Sequence, residues 1–276
     1  MAAQSFSPGA LPERSAFRID GPEARHFLHN LLTADIEGLQ AGEATYAALL
    51  TPQGKMLFDF FVIGDGEGFL VDCALSQKAE LIKRLGFYRL RAKVTIADLA
   101  YREVGVSPEK PATGPAYADP RDGTMGWRVI APKGTLPQAS GYHGLRVRSG
   151  LADTDADLGS GEFFPHEANL DQLGAVSFAK GCYVGQEVVS RMEHRATARS
   201  RILPVRLDGA AAKGSEILSG GKVMGTLLSS VGPDGLALIR LDRLAEAKEP
   251  LLAAGAGTRV IKPRWARYDV PGAEAK

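Results

Sequence analysis

The sequence predicts an α+β fold that ends in a small β-barrel or sandwich. Residues 42–73 contain three apolar segments separated by turns at 52–55 and 64–68, a pattern typical of an antiparallel meander. Helical patterns flank this meander. From about Arg199 onward, short apolar segments are interrupted by glycines, as in small barrels. At 276 residues the chain is long enough for two domains.

The first predicted elements are a strand at residues 17–19 and a helix at 22–32. Asp20 is the expected N-cap of this helix, and Glu23 is the expected acid of a capping box. Ser76 is the expected N-cap of a second helix that runs to about Tyr88. The other expected elements are strands at 45–50, 56–63, 69–73, 93–96, 102–106 and 126–130, a loop at 107–124, helices at 137–149 and after Gly185, and a tail of six residues. Residues 151–179 have no regular pattern, which is typical of a functional segment when it lies within a compact domain.

Composition narrows the classes of function. The chain is 45% hydrophobic and 24% charged with a net charge of +1, so nothing favours a general polyanion-binding role or a nucleic-acid partner. Its two cysteines are far apart and unlike in context, so we expect no disulfide and a reducing compartment. No apolar run reaches the length of a membrane span, and the first residues lack a signal-peptide pattern. We therefore expect a soluble, cytoplasmic protein.

Residues 180–187 (KGCYVGQE) are the most informative stretch of the chain. They place a thiol in a glycine-rich turn near a helix N-terminus, where the helix dipole favours a thiolate, and Lys180 adds a positive charge. Cys182 is therefore a candidate nucleophile, metal ligand or redox sensor; the alternative is a cysteine that only packs. No second cysteine has metal-site spacing, and we predict no metal site. A base from His166 or His194 would need the fold to bring it close, and Cys73 ends an apolar strand and is expected in the core.

The segment that follows Cys182 is basic. Arg191 and Arg195 are spaced to share one helix face, so they are candidates for binding an anion; the alternative is an ordinary solvated face. Neither a Gly-x-Gly-x-x-Gly fingerprint nor a Walker loop is present, so nucleotide binding has no local support.

Residues 164–171 (FPHEANLD) and 178–187 (FAKGCYVGQE) together resemble the signature of the YgfZ family. These proteins are folate-binding relatives of the glycine cleavage T-protein (aminomethyltransferase), and members act in iron–sulfur protein maturation. Residues 27–36 (FLHNLLTADI), Tyr46 and residues 53–55 (QGK) are similar to the T-protein stretch that lines the folate cavity. The resemblance covers most of residues 15–265.

The resemblance implies a T-protein-like folate-binding domain of two interleaved α+β subdomains at 1–198 and a C-terminal β-barrel domain at 199–276. It implies tetrahydrofolate or a one-carbon derivative as the ligand of a central cavity, with iron–sulfur assembly proteins or client enzymes as partners. Tyr46 matches a T-protein tyrosine that packs on folate. The further residues expected around the ligand are Asp59, Glu167, Asn169 and Tyr183, with Arg191 and Arg195 as candidates for its glutamate tail.

Two departures from the T-protein bear on activity. Phe58 stands where the T-protein has a catalytic acid, and Arg148 stands where an acid reads the pterin. The favoured hypothesis is therefore an iron–sulfur assembly or repair factor whose catalytic groups are Cys182, Lys180 and Asp59. The alternatives are an aminomethyltransferase-like one-carbon transferase that uses Asp59 or Glu167 as the acid, and a non-catalytic scaffold that binds a partner through the Cys182 loop.

Overall fold

The computed structural model describes residues 6–112, 114–194 and 198–275. In chain order the strands and helices are β1 (Gly9–Ala10), β2 (Arg14–Asp20), α1 (Ala24–Leu31), β3 (Ala44–Leu50), β4 (Met56–Asp65), β5 (Gly68–Ala74), α2 (Lys78–Arg89), β6 (Thr95–Asp98), β7 (Arg102–Ser107), β8 (Ala116–Ala118), β9 (Trp127–Pro132), α3 (Tyr142–Arg148), α4 (Gln186–His194), β10 (Ser200–Leu207), β11 (Glu216–Ser219), β12 (Lys222–Val231), β13 (Asp234–Arg240), α5 (Leu241–Leu244), β14 (Leu251–Ala253), β15 (Ala256–Lys262) and β16 (Glu274–Ala275). A 3-10 turn (Gly123–Met125) precedes β9, and a π-helical turn (Thr154–Leu158) follows α3.

The predicted meander forms three consecutive strands, starting from one edge, of a five-stranded sheet with the order β3-β4-β5-β2-β6. One face of this sheet packs on α1 and α2, where Phe60 and Phe69 join Leu28 and Leu81 in one core. The other face packs on a second sheet with the order β1-β7-β9-β8. Because successive side chains of a strand alternate between faces, Phe58 lies in the helix-side core while its neighbour Asp59 faces the layer between the sheets.

The carboxy-terminal strands close into a barrel, as the sequence predicts. Its order is β10-β13-β12-β11-β14-β15, and β15 pairs back on β10 with Val205 opposite Val260. The barrel has its own core, which includes Leu203, Leu227 and Ile239. The expected tail contains a short strand, β16, which pairs with β15 in parallel. No helix in the described ranges is long and apolar enough to cross a membrane.

The two predicted helix caps are wrong because the capping side chains bind other groups. Asp20 belongs to β2 and accepts hydrogen bonds from Arg18 (2.8 Å), so α1 begins at Ala24 without a side-chain cap. The Glu23 carboxylate accepts from the backbone N–H of Lys93 instead (2.7 Å). Ser76 likewise donates to Asp155, and α2 begins two residues later without a side-chain cap.

The predicted helix at 137–149 is also too long. Ser140 and Gln138 form bridges with Ser7 and Ala10 at the amino-terminal edge of the second sheet, so α3 begins only at Tyr142. Backbone pairing with a distant strand overrides the local helical pattern here. This arrangement lays α3 beside the second sheet, where it can line the space between that sheet and the meander.

Candidate functional site

Cys182 lies in an exposed turn four residues before α4 begins. The turn closes with a hydrogen bond from the Gln186 N–H to the Tyr183 carbonyl (3.2 Å). The thiol can therefore be reached from solvent. Cys73, in contrast, is 1% exposed, and its burial raises the pKa of its thiol to about 12. The prediction that Cys73 packs in the core is confirmed.

The Lys180 ammonium is bound to the end of α1. Nζ donates to the carbonyl oxygens of His29, of Leu32 (2.6 Å) and of Ala34 (2.8 Å), so three acceptors surround its three donors. These carbonyls belong to the helix C-terminus and the turn after it, where a cation is favourable. Burial lowers the pKa of Lys180 to about 8. The geometry therefore gives Lys180 a positioning role: it ties the Cys182 loop to α1.

A second attachment joins the Cys182 loop to the turn between β3 and β4. Gly185 has φ +81°, and a Cβ there would lie 2.5 Å from the Thr51 carbonyl oxygen and 2.9 Å from the Gly54 Cα. Gly54 also has φ +81°, and its Cβ would meet the Val188 Cβ at 3.0 Å. Both positions need glycine because of the conformation and because the two backbones touch. This contact brings together two of the stretches that carry the family resemblance.

Tyr183 completes the attachment. Its side chain is 7% exposed and belongs to the core between the sheets, with the Lys180 ammonium 5.0 Å from the ring centre. Burial raises the pKa of Tyr183 to about 12, so its hydroxyl stays neutral. Cys182 thus stands on a short loop that is held on both sides by buried or backbone contacts.

Helix α4, which follows this loop, is fixed from its buried side. Val189 is fully buried, and His166 Nε2 lies 3.1 Å from the Glu193 carboxylate. On the exposed side, Arg191 pairs with Glu187 of the motif at 2.5 Å. Arg191 is therefore on a solvated face, away from any enclosed space. Arg195 lies outside the described residues.

A separate cavity of about 330 Å³ lies between the meander, the second sheet and α3. Its lining residues are Leu11, Glu13, Arg14, Phe61, Ala74, Arg121, Arg128, Tyr142, His143, Arg146, Asp153, Asp155 and Ala156. None of residues 180–187, all of which are described, lines it. The structure therefore does not bring the cysteine motif to this cavity, although the sequence interpretation placed both in one site.

Four buried arginines dominate the cavity wall. Arg14 and Arg128 share the Asp72 carboxylate at 2.8 and 2.6 Å, and Arg121 and Arg146 bracket Asp153 at 3.0 and 3.3 Å. Burial alone would raise the pKa of Asp72, but the guanidinium groups of Arg128 and Arg14 outweigh it and hold that pKa below its ordinary value. The sequence interpretation missed these arginines. The sequence signal that could have revealed them was Arg128, a charged residue in the middle of an apolar strand.

Tyr46 and Asp59 lie together behind this wall. The Tyr46 hydroxyl donates to Asp59 Oδ2 (2.7 Å), while Oδ1 accepts from the Thr154 N–H (2.6 Å) and hydroxyl. Burial and the nearby charge of Asp153 raise the pKa of Asp59. The Arg121 guanidinium carbon lies 5.2 Å from the Tyr46 ring centre and 4.7 Å from the Phe61 ring centre. Both predicted site residues are thus buried and hydrogen-bonded, and neither lines the cavity.

Glu167 and Asn169 lie where the segment 164–171 meets the barrel. The Asn169 amide donates to the Ile202 carbonyl and accepts from the Tyr268 hydroxyl, each at 2.7 Å, with Asn169 at φ +62°. The Glu167 carboxylate accepts from the backbone N–H of Phe164 (3.0 Å). Both side chains stabilise the 164–171 segment where it meets β10, and they do not line the cavity.

With this geometry established, comparison with known proteins assigns the family. The human mitochondrial iron–sulfur cluster assembly factor IBA57 is 32% identical to this chain in an alignment that covers 94% of this chain and 87% of the human protein. The chain belongs to the IBA57 family. Mouse IBA57 is 31% identical over 85% of this chain and 77% of its own length, and the Chaetomium globosum IBA57 homologue is 30% identical over 90% and 74%.

Two further comparisons describe the fold of this IBA57 family member. The family model for the C-terminal β-barrel domain of CAF17 matches residues 199–268. The glycine cleavage system aminomethyltransferase T from Bartonella henselae superposes with a TM-score of 0.76, covering 98% of this chain and 88% of that protein at 13% identity. The predicted T-protein-like fold with a terminal barrel is therefore confirmed. At this identity the likeness concerns the fold alone.

Proposed function

We propose that this protein is an accessory factor in iron–sulfur cluster assembly or repair and that it acts through Cys182. The observation that carries the proposal is an exposed thiol on a loop that Lys180, Tyr183 and Gly185 hold in place. The IBA57 relatives are named as iron–sulfur cluster assembly factors, which supports the same process. The partners would be iron–sulfur assembly proteins or client enzymes. One thiol is too few for a four-thiolate cluster, so other ligands would come from another chain or a small molecule.

The alternative of a one-carbon transferase has weaker support. Asp59 has donors on both carboxylate oxygens, and Glu167 is hydrogen-bonded to the backbone of its own turn. A general acid or base must reach the reacting group of its substrate. The non-catalytic scaffold is compatible with the same exposed loop, and it differs from the main proposal in not needing the sulfur.

Complementation separates these functions. A strain that lacks the gene would carry the wild-type chain, Cys182→Ala or the matched control Cys73→Ala, and the activities of several iron–sulfur enzymes would be assayed under oxidative stress. We expect the wild type and Cys73→Ala to restore activity and Cys182→Ala to fail at equal protein abundance. Full rescue by Cys182→Ala would remove the thiol from the mechanism and favour the scaffold.

Tetrahydrofolate or a one-carbon derivative is our proposed ligand of the cavity. The groups present fit one end of such a molecule: the arginines suit the carboxylates of its glutamate tail. The pterin end needs hydrogen-bond acceptors for its N–H groups. The two nearby acids are poor candidates, because Asp153 already binds Arg121 and Arg146 and Asp59 is buried. Isothermal titration with tetrahydrofolate tests the proposal, since one-site binding supports it and no binding contradicts it.

Two narrower expectations from the sequence stay predictions. Membership of the YgfZ family is one of them. A cytoplasmic location is the other, and the relatives that share the chain's family are named as mitochondrial proteins. Fractionation of the cells that express this protein would test the location.

A further inference from the structure

Arg128 carries a buried guanidinium nitrogen that is free to donate a hydrogen bond. Its side chain lines the cavity and the residue is 1% exposed. Nε donates to Asp72 (2.6 Å) and Nη1 donates to the Tyr142 hydroxyl (2.8 Å). Nη2 has no hydrogen-bond partner among the described residues. Buried donors are nearly always paired, so an unpaired guanidinium nitrogen at a cavity wall indicates an acceptor that the cavity receives.

The charges around Arg128 indicate which acceptor this is. Arg14, Arg121, Arg128 and Arg146 all line the cavity, whereas three of the carboxylates that pair with them do not. These three are Asp72, Asp119 and Asp157. The positive groups therefore face the cavity while most of their counter-charges lie behind them, which favours an anionic ligand. Three acids also line the cavity: Asp153 is paired with Arg121 and Arg146, and Glu13 and Asp155 are exposed.

The wall also offers an aromatic surface. The guanidinium carbons of Arg128 and Arg121 lie 4.3 and 4.7 Å from the Phe61 ring centre, and Tyr142 lies beside them. Stacked guanidinium groups have fixed planes, which suits the two oxygens of a carboxylate better than a spherical ion. A cavity of about 330 Å³ is at the small end of ligand pockets and is too small for a macromolecular segment of any length.

We propose that this cavity is a carboxylate site: it binds a small organic acid whose carboxylate accepts from Arg128 Nη2, and it does not select a pterin ring. The inference deepens the ligand part of the proposed function and is independent of Cys182. The carboxylate has two possible sources with the same chemistry, the glutamate end of a folate and a free dicarboxylic acid. A folate would enter with its glutamate end towards Arg128.

Titration of the full-length protein with four probes tests this. The probes are tetrahydrofolate, p-aminobenzoylglutamate (tail without pterin), 6-methyltetrahydropterin (pterin without tail) and glutarate. We expect one-site binding of p-aminobenzoylglutamate that weakens with added salt, and no binding of the pterin. Tighter binding of p-aminobenzoylglutamate than of glutarate assigns the site to a folate tail, and equal binding assigns it to a free dicarboxylate. Pterin binding as tight as that of tetrahydrofolate, or no binding of any carboxylate probe, overturns the proposal.

Two variants locate the binding. Arg128→Lys keeps the charge and removes the planar donor edge, and we expect affinity for the bound carboxylate probe to fall by about tenfold or more. Because this residue is buried against Asp72, the variant could unfold, so Glu13→Gln at the exposed edge is the second test. Removing that acid should strengthen binding about two- to fivefold without creating pterin binding. Unchanged affinity in every variant that folds contradicts the proposal.

A third variant keeps the two proposals apart. Cys182→Ala should bind the carboxylate probe like the wild type, because residues 180–187 do not line the cavity. Failure of Cys182→Ala in cells with normal probe binding would support the role of the thiol and the carboxylate site separately. Loss of probe binding in Cys182→Ala would contradict the independence of the two sites.

Discussion

Gly185 of the cysteine motif and Gly54 of the β3–β4 turn meet backbone to backbone. The position of a Cβ on Gly185 is 2.9 Å from the Gly54 Cα, and both residues have φ +81°. Any side chain at either position would separate the two loops. The contact explains why glycine is required at position 185: it sets how close the Cys182 loop lies to the sheet.

Gly185→Ala should therefore displace the Cys182 loop. The new Cβ would lie 2.5 Å from the Thr51 carbonyl oxygen in a left-handed conformation, so we expect the free energy of unfolding to fall by about 1–3 kcal/mol. Iron–sulfur enzyme activities in the complemented strain should fall with it. Gly181→Ala is the matched control, because nothing lies within 4 Å of its Cβ position and its φ is not positive. Equal behaviour of the two variants in urea unfolding would contradict this reading.

Tyr46→Phe tests whether Tyr46 serves the structure or the ligand. The change removes the hydroxyl that donates to Asp59 at 2.7 Å, and we expect a loss of about 1–3 kcal/mol in unfolding free energy. Ligand affinity should stay the same, since Arg121 covers the ring and Tyr46 does not line the cavity. The control is Tyr101→Phe, at a residue that is 63% exposed. A large loss of ligand affinity in folded Tyr46→Phe would instead support the predicted contact between Tyr46 and the ligand.

Asn169→Ala should loosen the junction with the barrel. It removes the hydrogen bonds to Ile202 and Tyr268 and places alanine at φ +62°, so we expect destabilisation of about 2–4 kcal/mol. Asn30→Ala on an exposed face of α1 is the control. Thermal unfolding followed by circular dichroism measures both. A stable Asn169→Ala variant that has lost ligand binding would instead support the predicted ligand role of Asn169.

The paired carboxylates of the cavity wall predict loss of stability in acid. In Asp72 and Asp119 burial opposes ionisation, but the neighbouring arginines outweigh it and lower the folded-state pKa below the ordinary 3.8. The unfolded chain then binds more protons than the folded chain, so this stabilisation is present above about pH 4 and is lost as pH falls through the folded-state pKa. Urea unfolding between pH 7 and 3 should show a falling midpoint. An unchanged midpoint down to pH 3 would contradict it.

Some elements of this fold can be predicted from local sequence patterns, and others cannot. The meander, the barrel, the buried Cys73 and the exposed helix start after Gly185 could all be predicted from apolar spacing and glycine positions. The caps of α1 and α2 could not, because the capping side chains have other partners: Asp20 binds Arg18 on the same strand, and Ser76 binds Asp155, which is close only in the folded chain. The roles predicted for Lys180 and Tyr46 stay predictions, although the structure shows other partners for both side chains.

The sequence by itself determined the local features: periodicities that specify strands and helices, and a motif of residue types around Cys182 that resembles the YgfZ signature. Only the tertiary structure decided what lies next to what. It separated the cysteine loop from the cavity and directed the Lys180 ammonium to the α1 carbonyls. It also gathered four arginines from distant parts of the chain around one cavity. The physical reason is that burial and charge pairing depend on neighbours distant in sequence, which no local pattern records.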